Sequence, residues 1–248
     1  MTSLERWTAP KTERDARVEL AVAYRYAYDL GWTDLGATHF SIRVPGEPDA
    51  YLLLREGLFF NEVTASNLVK LGLDGSVRTD GVRVNPAGVT IHAALLEGHP
   101  EIDSVMHTHT VAGVAVCNHP KGLLPLSQHA LRFYDDVGRH DYEGVALDGE
   151  EGPRLVEHLG EHELMLLDNH GLLTAGATLP QAFSAMYYAE VACQMQVATL
   201  ASTDTPVTPD LDTCRFTKKQ HDDGHGYMYR DWMAIVRQVE RQHPDFAD

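Results

Sequence analysis

Two short segments place three histidines where they could act together. Val105-Met106-His107-Thr108-His109 sets two imidazoles at i and i+2. In an extended strand alternate side chains share one face, so both rings can reach one ion. The strand is otherwise apolar and reads as central, and an unpaired polar ring is costly to bury. A metal would satisfy both rings; the bland alternative is a strand with two exposed histidines. The second segment is Leu166-Leu167-Asp168-Asn169-His170-Gly171. An apolar strand ends there in Asn-His-Gly, and Gly171 permits a sharp turn that projects His170 outward. The alternative is a turn histidine capping a backbone group. Nothing in the two segments by themselves shows that they meet. Three neutral imidazoles suit zinc, iron, cobalt or manganese better than calcium or magnesium. Three protein ligands leave positions open, a catalytic arrangement in which the metal polarises a carbonyl or stabilises an enediolate.

The elements that must position these residues follow from periodicity. Residues 13–30 carry Val18, Leu20, Ala21, Tyr24, Ala27 and Tyr28 at helical spacing, which predicts an amphipathic helix ended near Gly31. His39–Val44 and Ala50–Leu54 read as a hairpin broken at Pro45-Gly46. Thr64-Ala65-Ser66 reads as a helix start, and Leu68–Leu73 before Asp74-Gly75 as another hairpin. Pro86 opens a helix over Ala87–Glu97. Ile102–His107 is a strand and Val111–Cys117 a short helix. After a proline-containing loop come a helix at Glu151–Leu159, strands at Leu164–Leu167 and Leu172–Ala175, and a long helix at Leu179–Leu200. Ser202–Asp212 reads as a surface stretch, and a last helix as Tyr229–Arg241. Interleaved helices and strands, with hairpins early, predict an α/β fold with a mixed sheet. We expect one domain over 1–248, with 202–248 a C-terminal extension ending in a helix.

Bulk properties bound the rest. A chain of 248 residues at 44% hydrophobic can bury a sizeable core. The formal charge of −16 has no basic stripe to offset it, which argues against nucleic acid. No apolar run suits a membrane span and residues 1–14 lack a secretory signal's apolar stretch, so a cytoplasmic location is expected. Cys117, Cys193 and Cys214 are odd in number and form no CxxC pair, which predicts reduced thiols. Most of the 14 histidines, including His221, His225 and His243 in the polar tail, read as surface residues.

The ordered run of His107-Thr108-His109 and Asn169-His170-Gly171 resembles the metal site of the class II aldolase/adducin family. His39-Phe40-Ser41-Ile42-Arg43, Thr64–Val69, Asn85–His92 and Tyr142-Glu143-Gly144 resemble its adducin-like branch. The resemblance covers about residues 15 to 200. It implies a single three-layer α/β/α domain with a central, largely antiparallel sheet. It also implies one divalent zinc, manganese or iron per subunit, a small-molecule substrate, and a homo-oligomer, often a tetramer.

This chain departs from the sugar-phosphate aldolases of that family. Gly88 stands where they have an acid/base Glu, and glycine has no group to move a proton. Pro86 and Ala87 replace two phosphate-loop serines, and Glu56-Gly57 replaces a Ser-Gly, where a carboxylate repels phosphate. A Tyr proton donor aligns near His129. Proton transfer then falls to His129, His92, His39 or Glu56, although His92 and His39 also read as satisfied core histidines. Arg43 and Arg132 are candidates to bind a substrate carboxylate, and Arg43 on its strand also reads as one half of a structural ion pair. Glu190 on the long helix reads either as approaching the site or as facing water, the usual case for a charged helix residue.

The expected activity is a metal-dependent lyase, decarboxylating a non-phosphorylated hydroxy, keto or aromatic acid or cleaving it by a retro-aldol step. A non-haem iron oxygenase acting on an aromatic hydroxy acid is the second reading. A non-catalytic adducin-like scaffold is the third.

Overall fold

The computed structural model describes residues 7–147, 149–224 and 226–248, so residues 1–6 of the N-terminal arm, Asp148 and His225 lie outside the described residues. Helix α1 (Glu13–Asp29) begins at Thr12. The Thr12 hydroxyl accepts from the Asp15 N–H, and the Asp15 carboxylate accepts from the Thr12 N–H. This reciprocal cap fixes the helix start. Leu20, Ala23, Tyr24 and Ala27 then bury one stripe of α1.

Strands β1 (His39–Val44), β2 (Glu47–Leu53) and β3 (Val69–Gly72) form an antiparallel meander. Helix α2 (Pro86–Gly98) leads to β4 (Ser104–Thr108), and α3 (Val111–Cys117) and α4 (Gln128–Leu131) follow. Next come β5 (Gly138–His140), α5 (Gly152–Leu159), β6 (Leu164–Leu167) and β7 (Gly171–Gly176). Helices α6 (Leu179–Ser202), α7 (Leu211–Asp223) and α8 (Gly226–Gln242) complete the described chain.

The sheet order is β3-β2-β1-β4-β7-β6-β5. Only the β5–β6 pair is parallel; the other neighbours are antiparallel. On one face Phe40, Met106 and Leu172 pack with Leu20 and Tyr24 of α1, Phe183 of α6 and Trp232 of α8. On the other face Val105, Leu173 and Met165 pack with Ile91 and Leu95 of α2 and Leu155 of α5. Each large buried side chain contributes about 1.5–3 kcal/mol of transfer free energy. The result is the three-layer α/β/α arrangement that the family resemblance implies, with β4 in the middle of the sheet.

Three local expectations differ. Thr64-Ala65-Ser66 starts no helix: the Asn67 amide oxygen accepts the Thr64 N–H, and the Ala65 and Ser66 N–H groups bond the carbonyls of Phe246 and Asp248. A side chain and the distant C-terminus have taken the donors a helix would need. The proline-containing loop contains the short α4 and β5. The polar tail contains α7, capped by Asp210, whose carboxylate accepts the Thr213 N–H. Cys214 is its one fully buried residue among those described, so no apolar stripe announces it. Among the described residues, no helix is long and apolar enough to cross a membrane.

Candidate metal centre

His107 is the penultimate residue of β4, the central strand, and His109 follows two residues later, just past the strand's end. Strand alternation sends Val105 and His107 to the α2/α5 face, and Met106 and Thr108 to the α6 face. The turn between β6 and β7 brings His170 alongside. Nε2 of His107 lies 2.7 Å from Nε2 of His109 and 3.1 Å from Nε2 of His170. One ligand atom from each of the three residues lies within 4.8 Å of the others.

The outer nitrogens fix the chemistry of the inner ones. Nδ1 of His107 lies 2.9 Å from the Leu172 carbonyl oxygen, which can only accept, so Nδ1 carries the hydrogen. Nδ1 of His109 lies 3.0 Å from the Asp34 carboxylate and donates to it. In its neutral form each ring therefore turns an unprotonated Nε2 toward the same point. Two lone pairs 2.7 Å apart repel unless a positive centre sits between them. The donor set fits a divalent transition metal held by imidazoles whose orientation is set by outer partners. Burial holds His107 well below the ordinary histidine range, and the neighbouring histidines add to this. His170 is pushed down to about 4 by burial, then by His109 and His140. Both are neutral at pH 7, as metal ligation requires.

The support around the triad is mostly absent from the sequence reading. Asp34 sits in the turn after α1, 75 residues from His109. Glu190, for which facing water is the commoner of two readings, is instead fully buried on α6 and reaches the site. It accepts hydroxyl hydrogen bonds of 2.5 Å from both Thr108 and Thr110, the residues that flank His109. Thr110 also caps α3 by accepting the Gly113 N–H. Glu190 thereby clamps the strand end that carries His109. The turn before His170 is pinned by Arg139, bonded to both Asp168 oxygens, and by Asn118, which accepts the Asn169 N–H.

The sharp turn belongs to Asn169, at φ 56°, a left-handed conformation that Asn tolerates. Gly171 serves another purpose. A Cβ built there would lie 2.1 Å from the Thr108 carbonyl oxygen, so its glycine permits close approach of β7 to β4.

A cavity of about 240 Å³ opens beside His39 and is lined by Arg55, Glu56, Asn85 and Pro86. His39 pairs with His107 in the β1–β4 register, and their ring centroids are 5.2 Å apart. A Cβ at Gly88 would lie 2.9 Å from His39 Cδ2, so the imidazole packs into room left by the missing side chain. His92 is fully buried and bonds His39 and Ser41, the satisfied core histidine that was one of its readings.

Arg43 and Arg132 are corrected by their partners. Arg43 donates to the carbonyls of Pro48, Leu96 and Ile102 and pairs with Asp103. Arg132 bonds both oxygens of Glu163 and the Ser184 hydroxyl and lies over the Tyr188 ring. Neither guanidinium keeps an open fork for a substrate carboxylate. His129 on α4 packs against Tyr188, with ring centroids 5.2 Å apart. The larger cavity on that side, about 790 Å³, has Arg132 and Tyr188 in its wall and no triad residue. The smaller cavity has no triad residue in its wall either, but His39, which lines it, sits beside His107.

Residues 18–197 match the family described as Class II Aldolase and Adducin N-terminal domain. A Caulobacter vibrioides protein named "Putative aldolase class 2 protein" is 40% identical over 241 residues, covering 96% of this chain and 94% of its own. The crystal structure of an aldolase II superfamily protein from Pseudomonas syringae superposes with a TM-score of 0.91 at 40% identity, covering 97% of this chain and 98% of that one. Mouse alpha-adducin is 40% identical over 200 residues, 79% of this chain but 27% of the adducin. By family match, sequence identity and superposition, the chain belongs to the class II aldolase and adducin N-terminal domain family.

Proposed function

We propose that the protein is a divalent-metal-dependent carbon–carbon lyase acting on a non-phosphorylated hydroxy or keto acid. The observation that supports it is the convergence of three imidazoles, two of them tethered on their outer side, next to a cavity that holds Arg55 and Glu56 but no phosphate-binding serine. His107, His109 and His170 would hold zinc, manganese or iron. When bound, such an ion supplies Lewis-acid polarisation of substrate oxygens.

The chain's own residues do the rest. Arg55 takes the acid's carboxylate, a role Arg43 and Arg132 are too occupied to fill. Gly88 leaves no carboxylate to pull a proton from carbon, which disfavours epimerisation and favours loss of carbon dioxide. In that reaction the C–C bond to the carboxylate breaks and its electron pair stays on the substrate carbon, which then takes a proton. Glu56, exposed and lining the cavity, would relay that proton from solvent. His129 and His92 lose this role because each is packed elsewhere.

The test is metal analysis of the purified chain, followed by carbon dioxide release and oxygen uptake on a panel of hydroxy, keto and aromatic acids. Stoichiometric metal with carbon dioxide release and no oxygen uptake is expected, with no turnover of sugar phosphates. Iron with substrate-dependent oxygen uptake would replace the lyase with an oxygenase. Failure to take up metal after reconstitution would leave a non-catalytic, adducin-like reading. Leu35, Val111 and Tyr142 stand exposed near the triad, an apolar rim that supports assembly into a homo-oligomer, the tetramer favoured by resemblance. Light scattering that finds only monomer at micromolar concentration would remove that part.

A further inference from the structure

Ser41, His92 and His39 form a buried file next to the triad. Ser41 Oγ lies 2.5 Å from His92 Nδ1, and His92 Nε2 lies 2.8 Å from His39 Nδ1. The polarity of this file is decided at its closed end. Ser41 is fully buried. Its carbonyl separately accepts the Ser104 hydroxyl. Among the described residues its own hydroxyl has no partner besides His92. If His92 Nδ1 carried the hydrogen, the Ser41 hydroxyl hydrogen would be buried without an acceptor, its desolvation uncompensated. The hydroxyl therefore donates to Nδ1. A neutral imidazole has one N–H, so His92 donates from Nε2 to His39 Nδ1. His39 must then carry its own hydrogen on Nε2. Both rings are buried, and the bonds they make in this file are to each other and to a hydroxyl, with no carboxylate among them, so both stay neutral.

The open end of the file is His39, which lines the 240 Å³ cavity together with Arg55 and Asn85. We propose that Ser41 and His92 are positioning residues that lock His39 in its Nε2–H form, so that His39 donates a hydrogen bond to a substrate oxygen beside the triad. The inference rests on the metal-centre reading of that cavity. It narrows the substrate to an acid with a carbonyl or hydroxyl oxygen that gains negative charge as the C–C bond breaks. A fixed N–H aimed at such an oxygen needs no reorganisation during reaction, whereas it offers no lone pair to remove a proton from carbon. Gly88 is the condition for this arrangement, since any side chain there would collide with the His39 ring. A carboxylate acceptor at position 88 and a fixed imidazole donor at position 39 exclude each other.

The test uses the full chain, loaded with zinc and labelled with nitrogen-15 in histidine, and reads ring tautomers from long-range proton–nitrogen spectra near neutral pH. His39 is assigned by the signals lost in His39→Gln. The expected spectrum shows His39 unprotonated at Nδ1 and protonated at Nε2. Ser41→Ala should convert this single form into a mixture of both tautomers, and Ser41→Thr, which keeps the hydroxyl, should restore it. A native His39 protonated at Nδ1 overturns the proposal, and so does a Ser41→Ala protein that keeps the single Nε2–H form. The native spectrum decides even where a variant fails to fold. Zinc content of the same sample separates the two ideas: an intact relay in a chain that binds no zinc would defeat the metal centre and leave the tautomer assignment standing.

Discussion

Replacing any of His107, His109 or His170 with alanine should abolish stoichiometric metal binding, with folded structure retained. Each removes one of three convergent nitrogens, so the loss should exceed the roughly 10–100-fold drop that accompanies loss of an outer partner. Asp34→Ala provides that smaller step, because it frees the His109 ring without deleting it; Asp34→Asn, which keeps an acceptor oxygen, should recover most of the affinity. The stability readout is independent. A ligand present at 100 times its Kd stabilises by about 2.7 kcal/mol, which for a domain of this size is roughly 5–10 °C in Tm. A chelator should lower the native Tm by that amount and leave the three alanine variants unmoved. His107→Ala should also melt lowest, because His107 is fully buried and its loss orphans the Leu172 carbonyl. Elemental analysis showing full occupancy in all three variants would sink the assignment.

Gly171→Ala should be the most damaging single-methyl change near the site. Its Cβ would sit 2.1 Å from the Thr108 carbonyl oxygen and 3.1 Å from His109 Cδ2. The first obstacle is backbone in the middle of the sheet, where Thr108 pairs with Leu172, so no side-chain rotation relieves it. Overpacking typically costs about 1–3 kcal/mol, and a backbone clash belongs at or above the top of that range. Relief requires β7 to move off β4, which carries His170 away from His107 and His109. Stability and metal content should therefore fall together. Gly57→Ala, where a Cβ meets nothing within 4 Å but φ is +86°, is the control for backbone strain without collision and should leave metal content intact. A Gly171→Ala protein with native Tm and full metal content would show that the strands have slack the structure denies.

Much of the fold is legible locally because the signals are local. Thr12 with Asp15, Asn85 with Pro86, and Thr110 beside Gly113 mark helix starts through bonds that span a few residues. The strand period of two puts His107 and His109 on one face without any tertiary information. Where no apolar stripe exists, as in α7, or where remote backbone takes the donors, as at Thr64–Ser66, the local reading misses.

For this protein the sequence by itself determines which side chains could bind a metal, and its resemblance to the sugar-phosphate aldolases marks Gly88, Pro86 and Ala87 as the positions where their acid/base Glu and phosphate-loop serines would stand. The tertiary structure decides everything that depends on who stands opposite. Asp34 behind His109, Glu190 between Thr108 and Thr110, and Ser41 behind His92 are separated in the chain by 75, 82 and 51 residues. No short-range pattern encodes such pairs. The charges of Arg43 and Arg132 are legible, yet only packing shows that Asp103 and Glu163 already neutralise them. Burial does the same for the histidines: residue type gives an imidazole, and the surrounding low-polarity core sets its neutrality, its tautomer and hence the direction of its lone pair.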